Sequence, residues 1–170
     1  TTTAIHDITL SFGGLVVLHD VSADIRNGEL LALIGPNGAG KTTLFNLISA
    51  ALRPKSGTIK FKGKNITGLK PHQICRLGVA RTFQTVKIFA NMSVLDNVAL
   101  GALFGAADHI SAADAERQAI ALLEFVGLSA LKAAPAKDLT LANQKRLEVA
   151  GALATQPELL LLDEIMAGLN

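Results

Sequence analysis

Eight consecutive residues, Gly35-Pro36-Asn37-Gly38-Ala39-Gly40-Lys41-Thr42, follow the pattern G-x-x-x-x-G-K-[ST] between an apolar run and a segment of helical character. In such a loop successive backbone N–H groups point inward and, with the N-terminus of the following helix, form a cradle for phosphate oxygens. Gly38 and Gly40 permit torsions and close approaches that a Cβ would hinder. Lys41 is placed to neutralise β- and γ-phosphates, the Thr42 hydroxyl to ligate Mg²⁺, and Thr43 to add an α-phosphate contact. A second candidate is Leu159-Leu160-Leu161-Leu162-Asp163-Glu164. A strand this apolar is buried, and acids at its end emerge at the carboxyl edge, where open α/β sheets place ligands. Asp163 is then positioned to hold Mg²⁺, usually through water, and Glu164 to polarise an attacking water as general base. By itself the loop implies a nucleoside triphosphate, ATP or GTP.

The elements that must position these groups are legible as a coarse order. Residues 5–10 and 15–25 read as β-rich segments with Gly13-Gly14 as the turn between them. Asn27-Gly28 is a hairpin turn signal, and the short apolar run 30–34 is expected to be a strand covered on both faces. Residues 41–52 read as a helix, 58–61 as an edge strand and 79–83 as a further strand. The character then becomes helical over 94–103, 112–126 and 141–155. Ser111 with Asp114 forms a capping pattern, and Pro157 stops the last helix. Residues 159–162 close the order as a buried strand. An α/β nucleotide-binding core with an antiparallel β front and a helical insertion is expected.

Composition bounds the remaining possibilities. At 170 residues the chain fits one domain with a sizeable core, and an apolar share of 49% against 18% charged argues against disorder. No stretch approaches the ~18 consecutive apolar residues of a membrane helix, and no secretory signal is expected from the residues at its front. A net charge of +2 gives no case for nucleic acid. The cluster Lys55, Lys60, Lys62 and Lys64 reads as a solvated strand face. One cysteine, Cys75, suits a reducing compartment and reads as a small core residue. His6, His19, His72 and His109 show no metal-ligand spacing.

Between the two anchors lies Arg81-Thr82-Phe83-Gln84, and after it Leu139-Thr140-Leu141-Ala142-Asn143-Gln144-Lys145-Arg146 followed by Leu147-Glu148-Val149-Ala150. With Ala167-Gly168-Leu169-Asn170 at the end, this motif order resembles the ATP-binding subunits of ABC transporters over nearly the whole chain. The resemblance implies a P-loop NTPase core of the ABC type, with residues 1–85 and 156–170 as the ATPase core and 86–155 as the helical subdomain. It implies that Phe12 stacks on adenine and that Gln84 is a Mg²⁺ ligand that also senses a membrane partner. Leu139, Thr140, Leu141, Ala142 and Asn143 stand where the family carries its signature, which reaches the ATP of a second subunit. Two subunits would pair head to tail at the cytoplasmic face of a membrane, drive transmembrane permease subunits, and receive cargo from an extracytoplasmic binding protein. Ser11-Phe12-Gly13-Gly14-Leu15 and Asn91-Met92-Ser93-Val94-Leu95-Asp96-Asn97-Val98 are similar to ATPase subunits of branched-chain amino-acid importers.

The chain also departs from the family's pattern. Ala142 puts a Cβ where the signature usually offers bare backbone to an anion, and Ile165 stands at the usual proline position after the catalytic acid. The family's switch histidine would follow Asp163 and Glu164, and all four histidines precede them. The core is accordingly expected to be incomplete at its C-terminal side. Two other readings accompany the transport one: a non-transport ABC ATPase acting on DNA or ribosomes, and a piece that binds nucleotide without turnover.

Overall fold

The computed structural model describes residues 2–105 and 110–163. Its backbone divides into two compact units, Thr1–Ile74 and Cys75–Asn170. In the first unit β1 (Thr3–Phe12) and β2 (Leu15–Ile25) form an antiparallel hairpin closed by the predicted glycine turn, with Thr3 opposite Ile25 and Phe12 opposite Leu15. Ile5 and Ile8 are both buried although three residues apart, which a regular two-residue pleat forbids. A register shift between them resolves the conflict: Asp7 takes a left-handed φ of 52° and exchanges two hydrogen bonds with Ser22 on β2.

After the hairpin come α1 (Lys41–Ile48), β3 (Ser56–Phe61) and β4 (Lys64–Asn65). The sheet order is β2-β1-β3-β4 with antiparallel neighbours throughout. β3 is therefore an inner strand over Lys60–Phe61, not the edge expected from its alternation, because the two-residue β4 folds back and caps it. Helix α1 is shorter than predicted. Ala50 adopts a φ of 58° and its N–H donates to the Leu47 carbonyl, which ends the helix before Leu52.

The expectation for residues 30–34 is not met. The segment joins neither sheet, and Leu30 and Ile34 stand 96% and 90% exposed. Continuous apolarity marks a strand only when partners lie on both sides to satisfy its backbone and cover its faces, and no described strand pairs with this run. The Asn27-Gly28 turn does form, but it leads into extended chain without a ladder.

The second unit begins within the short helix α2 (Pro71–Arg76) and continues with β5 (Val79–Arg81), α3 (Val94–Gly105), α4 (Ala112–Phe125), α5 (Leu141–Ala154) and β6 (Leu159–Leu161). β5 and β6 pair in parallel, Val79 with Leu159 and Arg81 with Leu161. Ser111 caps α4 by accepting from the Asp114 amide, as its sequence suggested, and Thr140 caps α5 by accepting from Asn143 N–H. The three longer helices enclose a core of Val94, Val98, Ala115, Ala119, Leu123 and Leu147, all at most 1% exposed. Each fully buried Leu or Val there contributes about 1.5–3 kcal/mol relative to exposure. Small residues let α3 and α5 approach: a Cβ at Gly101 would lie 2.6 Å from the Gly151 carbonyl oxygen, whereas a Cβ at Gly151 would meet nothing within 4 Å.

This asymmetry is testable. Gly101→Ala forces backbone apart and is expected to lower the unfolding free energy by about 1–3 kcal/mol. Gly151→Ala, gaining helix propensity in open space, should be neutral or stabilising by up to about 1 kcal/mol. Urea unfolding of both variants checks the ordering, and equal losses would mean that the crossing is not as close as described.

Candidate nucleotide site

The glycine-rich loop lies in the first unit, immediately before α1. Gly38 and Gly40 hold left-handed φ values of 83° and 86°. Gly40 is also sterically bound to β2, since a Cβ there would fall 2.8 Å from Leu18 Cδ2 and 3.1 Å from the Val17 carbonyl oxygen. The turn is tightened by Ala39 N–H donating to the Pro36 carbonyl at 3.2 Å. Gly40 is the N-cap of α1, so no side chain caps that helix, and its first turn carries no acid. The start of the helix therefore keeps its positive character for an anion. Lys41 Nζ folds back over the loop and donates to the carbonyls of Gly35 and Pro36 at 2.7 and 2.8 Å. Gly35, Lys41, Thr42 and Thr43 are half-buried, while Pro36, Asn37, Gly38 and Ala39 are exposed. Phe12 ends β1 at the hairpin and is half exposed.

The second unit holds the other candidates. Asp163 follows β6 and is only 6% exposed. Its Oδ2 accepts from the Arg81 guanidinium at 3.0 Å, and both side chains of the pair are nearly fully buried. The parallel pairing of β5 and β6 extends one step on each side: Thr82 N–H donates to the Leu161 carbonyl, and Asp163 N–H donates to Thr82 Oγ1. This places Asp163 at the carboxyl end of its strand, as the sequence implied. Arg81 and Thr82 stood out only as the motif before Gln84; their contacts with Asp163, spanning 82 and 81 residues of sequence, had no local signal.

Gln84 follows in an exposed bend. The chain around it is fixed from three directions. Glu148 on α5 accepts from the amides of Phe83 and Lys87 with one oxygen, at 3.2 Å each. Asn97 on α3 accepts from Phe89 N–H at 2.8 Å and donates back to the Phe89 carbonyl at 3.1 Å. The Phe83 ring meets two cations, Arg81 at 5.1 Å and Lys87 at 4.3 Å from its centroid. Burial pushes the Glu148 carboxyl above its usual value, opposed by those two amides and by the nearby Lys145 and Lys87 charges.

The signature candidates cluster at the start of α5. Leu139 is buried, Thr140 and Leu141 are exposed, and Ala142 and Asn143 are half-buried. The Thr140 hydroxyl is engaged as the helix cap. Glu164, Ile165 and the segment Ala167-Gly168-Leu169-Asn170 lie outside the described residues, as does His109. Cys75 is half-buried, its thiol raised by burial, and its Sγ donates weakly to the Gly105 carbonyl. Among the described residues no three His, Cys, Asp or Glu side chains group as a metal site, and no helix is long and apolar enough to cross a membrane.

A glycine-rich loop with glycines at positive φ, opening a helix that no side chain caps, is the mark of a P-loop nucleotide-binding fold. The family profile described as ABC transporter matches residues 18–167, and the chain belongs to that family. Over 98% of its length it is 39% identical to the high-affinity branched-chain amino acid transport ATP-binding protein LivG of Salmonella typhimurium, covering 70% of that protein. It is 42% identical over 98% of its length to the sulfate/thiosulfate import ATP-binding protein CysA 2 of Rhizobium meliloti, covering 45% of it. Among solved structures, the ADP conformation of MJ1267, an ATP-binding cassette of an ABC transporter, superposes with a TM-score of 0.84 at 31% identity, over 99% of this chain and 70% of that one. The fold is that of the ABC ATPase cassettes, with an antiparallel β sheet and a helical part, and ATP hydrolysis is general for the family.

The Arg81–Asp163 pair yields a stability prediction. Removing one member of a buried pair leaves the other charge poorly compensated, so Arg81→Met should cost about 3–5 kcal/mol. The double variant Arg81→Met, Asp163→Leu should regain most of that loss. Chemical denaturation of the three proteins measures it, and an Arg81→Met variant as stable as the parent would show that the pair is not needed.

Proposed function

We propose that this chain is the ATP-binding and hydrolysing subunit of an ABC importer that carries branched-chain amino acids. The observation that supports the reading most is the loop at 35–42, with its glycines at positive φ, its uncapped helix start and its lysine turned over the cradle. The amides of the loop and of Thr43 bind the triphosphate, Lys41 leaves its two carbonyls to meet the β- and γ-phosphates, and Phe12 stacks on the adenine. Thr42, Gln84 and Asp163 would hold Mg²⁺. Their donors are a hydroxyl, an amide oxygen and a carboxylate, all hard oxygens of the kind this cation takes. The ion supplies neutralisation of phosphate charge when bound. Glu164 acts as general base toward the attacking water.

In this reading residues 1–85 and 156–170 are the ATPase core and 86–155 the helical subdomain. Leu139, Thr140, Leu141, Ala142 and Asn143 address the nucleotide of a second copy arranged head to tail. Permease subunits contact the region of Gln84, which places the chain at the cytoplasmic face of a membrane, with an extracytoplasmic binding protein delivering cargo. The likeness to LivG supports branched-chain amino acids, and the comparable identity to CysA 2 makes sulfate the rival cargo. Uptake of radiolabelled leucine, but not sulfate, by vesicles holding the chain with its co-purifying permease is the expected result. A second reading, nucleotide binding without turnover, is favoured by Ala142 and by the Thr140 hydroxyl already serving as a cap.

Two substitutions test the roles. Lys41→Ala should weaken ATP binding by about 1.5–3 kcal/mol, the range for hydrogen bonds to charged groups, read by calorimetric titration. Glu164→Gln in the complete transporter should accumulate ATP-bound dimers on gel filtration. Normal hydrolysis by that variant would remove Glu164 from the mechanism.

A further inference from the structure

The segment from Phe83 to Phe89 lies in neither a helix nor a strand, yet it carries Gln84. Chain of this kind normally leaves its amides to water and samples many conformations. Here one carboxylate oxygen gathers two of those amides, four residues apart, and bends the chain around itself. Gln84 sits inside that bend. A short neutral side chain on α5 could not reach both amides, and a basic one offers no acceptor. The carboxylate is partly desolvated, where charge-assisted hydrogen bonds are strong. At the far end Asn97 holds Phe89 through a reciprocal pair of bonds, so the segment is a strap tied to α5 and α3.

We propose that Glu148 is a positioning residue that sets the conformation of the Gln84 segment and locks it to the helix whose first turn carries the signature residues. Glu148 follows the Thr140 cap by eight residues, about 12 Å along α5. A displacement of that helix is thereby transmitted to the amides on either side of Gln84. The functional part of the inference rests on the reading of Gln84 as a Mg²⁺ ligand given above.

Amide hydrogen exchange followed by NMR on the full chain tests the positioning role directly. Glu148→Ala should speed exchange at Phe83 and Lys87 by about tenfold or more, the signature of local opening. Phe89, held by Asn97, and Thr82, held by the Leu161 carbonyl, should keep their protection. Glu148→Gln retains an acceptor oxygen at the same reach and should restore most of the lost protection. Unchanged exchange at Phe83 and Lys87 in Glu148→Ala overturns the proposal, as does an equal loss across α5 and the β5–β6 pair, which would reveal a merely structural role. A second arm measures the Mg²⁺ concentration needed for half-maximal nucleotide binding, which should rise severalfold in Glu148→Ala and in Gln84→Ala alike. If Gln84→Ala leaves it unchanged while the exchange pattern holds, the positioning role stands and the metal role of Gln84 falls.

Discussion

In the second unit one buried ion pair constrains the carboxyl ends of the two parallel strands. Arg81 and Asp163 meet at the carboxyl ends of two parallel strands and are almost wholly removed from water. Two charges so placed are tolerable only if they find each other, so their pairing fixes where both strands end. From there the constraint propagates. Thr82 takes up the ladder with both backbone and hydroxyl, Arg81 also lies near the Phe83 ring, and Phe83 delivers the chain to Glu148. Asp163 and the bend that carries Gln84 are thus ends of one connected set of polar contacts.

The phosphate loop follows a different logic. Its torsions are affordable only to glycine at two positions, and at Gly40 the neighbouring β2 strand removes any room for a side chain. The lysine ammonium donates to the loop's own carbonyls. A phosphate met by this ammonium would exchange one set of oxygen acceptors for another, more highly charged one.

Much of this was legible in the residues because it is written locally. The glycine loop, the hairpin turn at Gly13-Gly14, the Ser111 cap and the acid after a leucine run each occupy a few adjacent positions. What sequence could not show was pairing at long range. Residues 30–34 read as a covered strand because apolarity reports a capacity for burial, not the presence of partners, and the run stands exposed. β3 read as an edge because nothing in its alternation announced the two residues of β4. Glu148 read as the continuation of a motif, since the amides it holds lie 65 and 61 residues away.

The contact between Gly101 and Gly151 has a mechanical consequence. Asn97 precedes Gly101 by four residues on α3, and Glu148 precedes Gly151 by three on α5. Both ties of the Gln84 strap thus lie roughly one helical turn, about 4.5–6 Å, from this close approach between the two helices. A crossing set by backbone touching backbone acts as a fulcrum, and points beside a fulcrum travel least when the arms swing. Pivoting of α3 against α5 would sweep the distant helix ends through wide arcs and move the strap little, whereas a sliding of α5 along its axis would carry the strap with it.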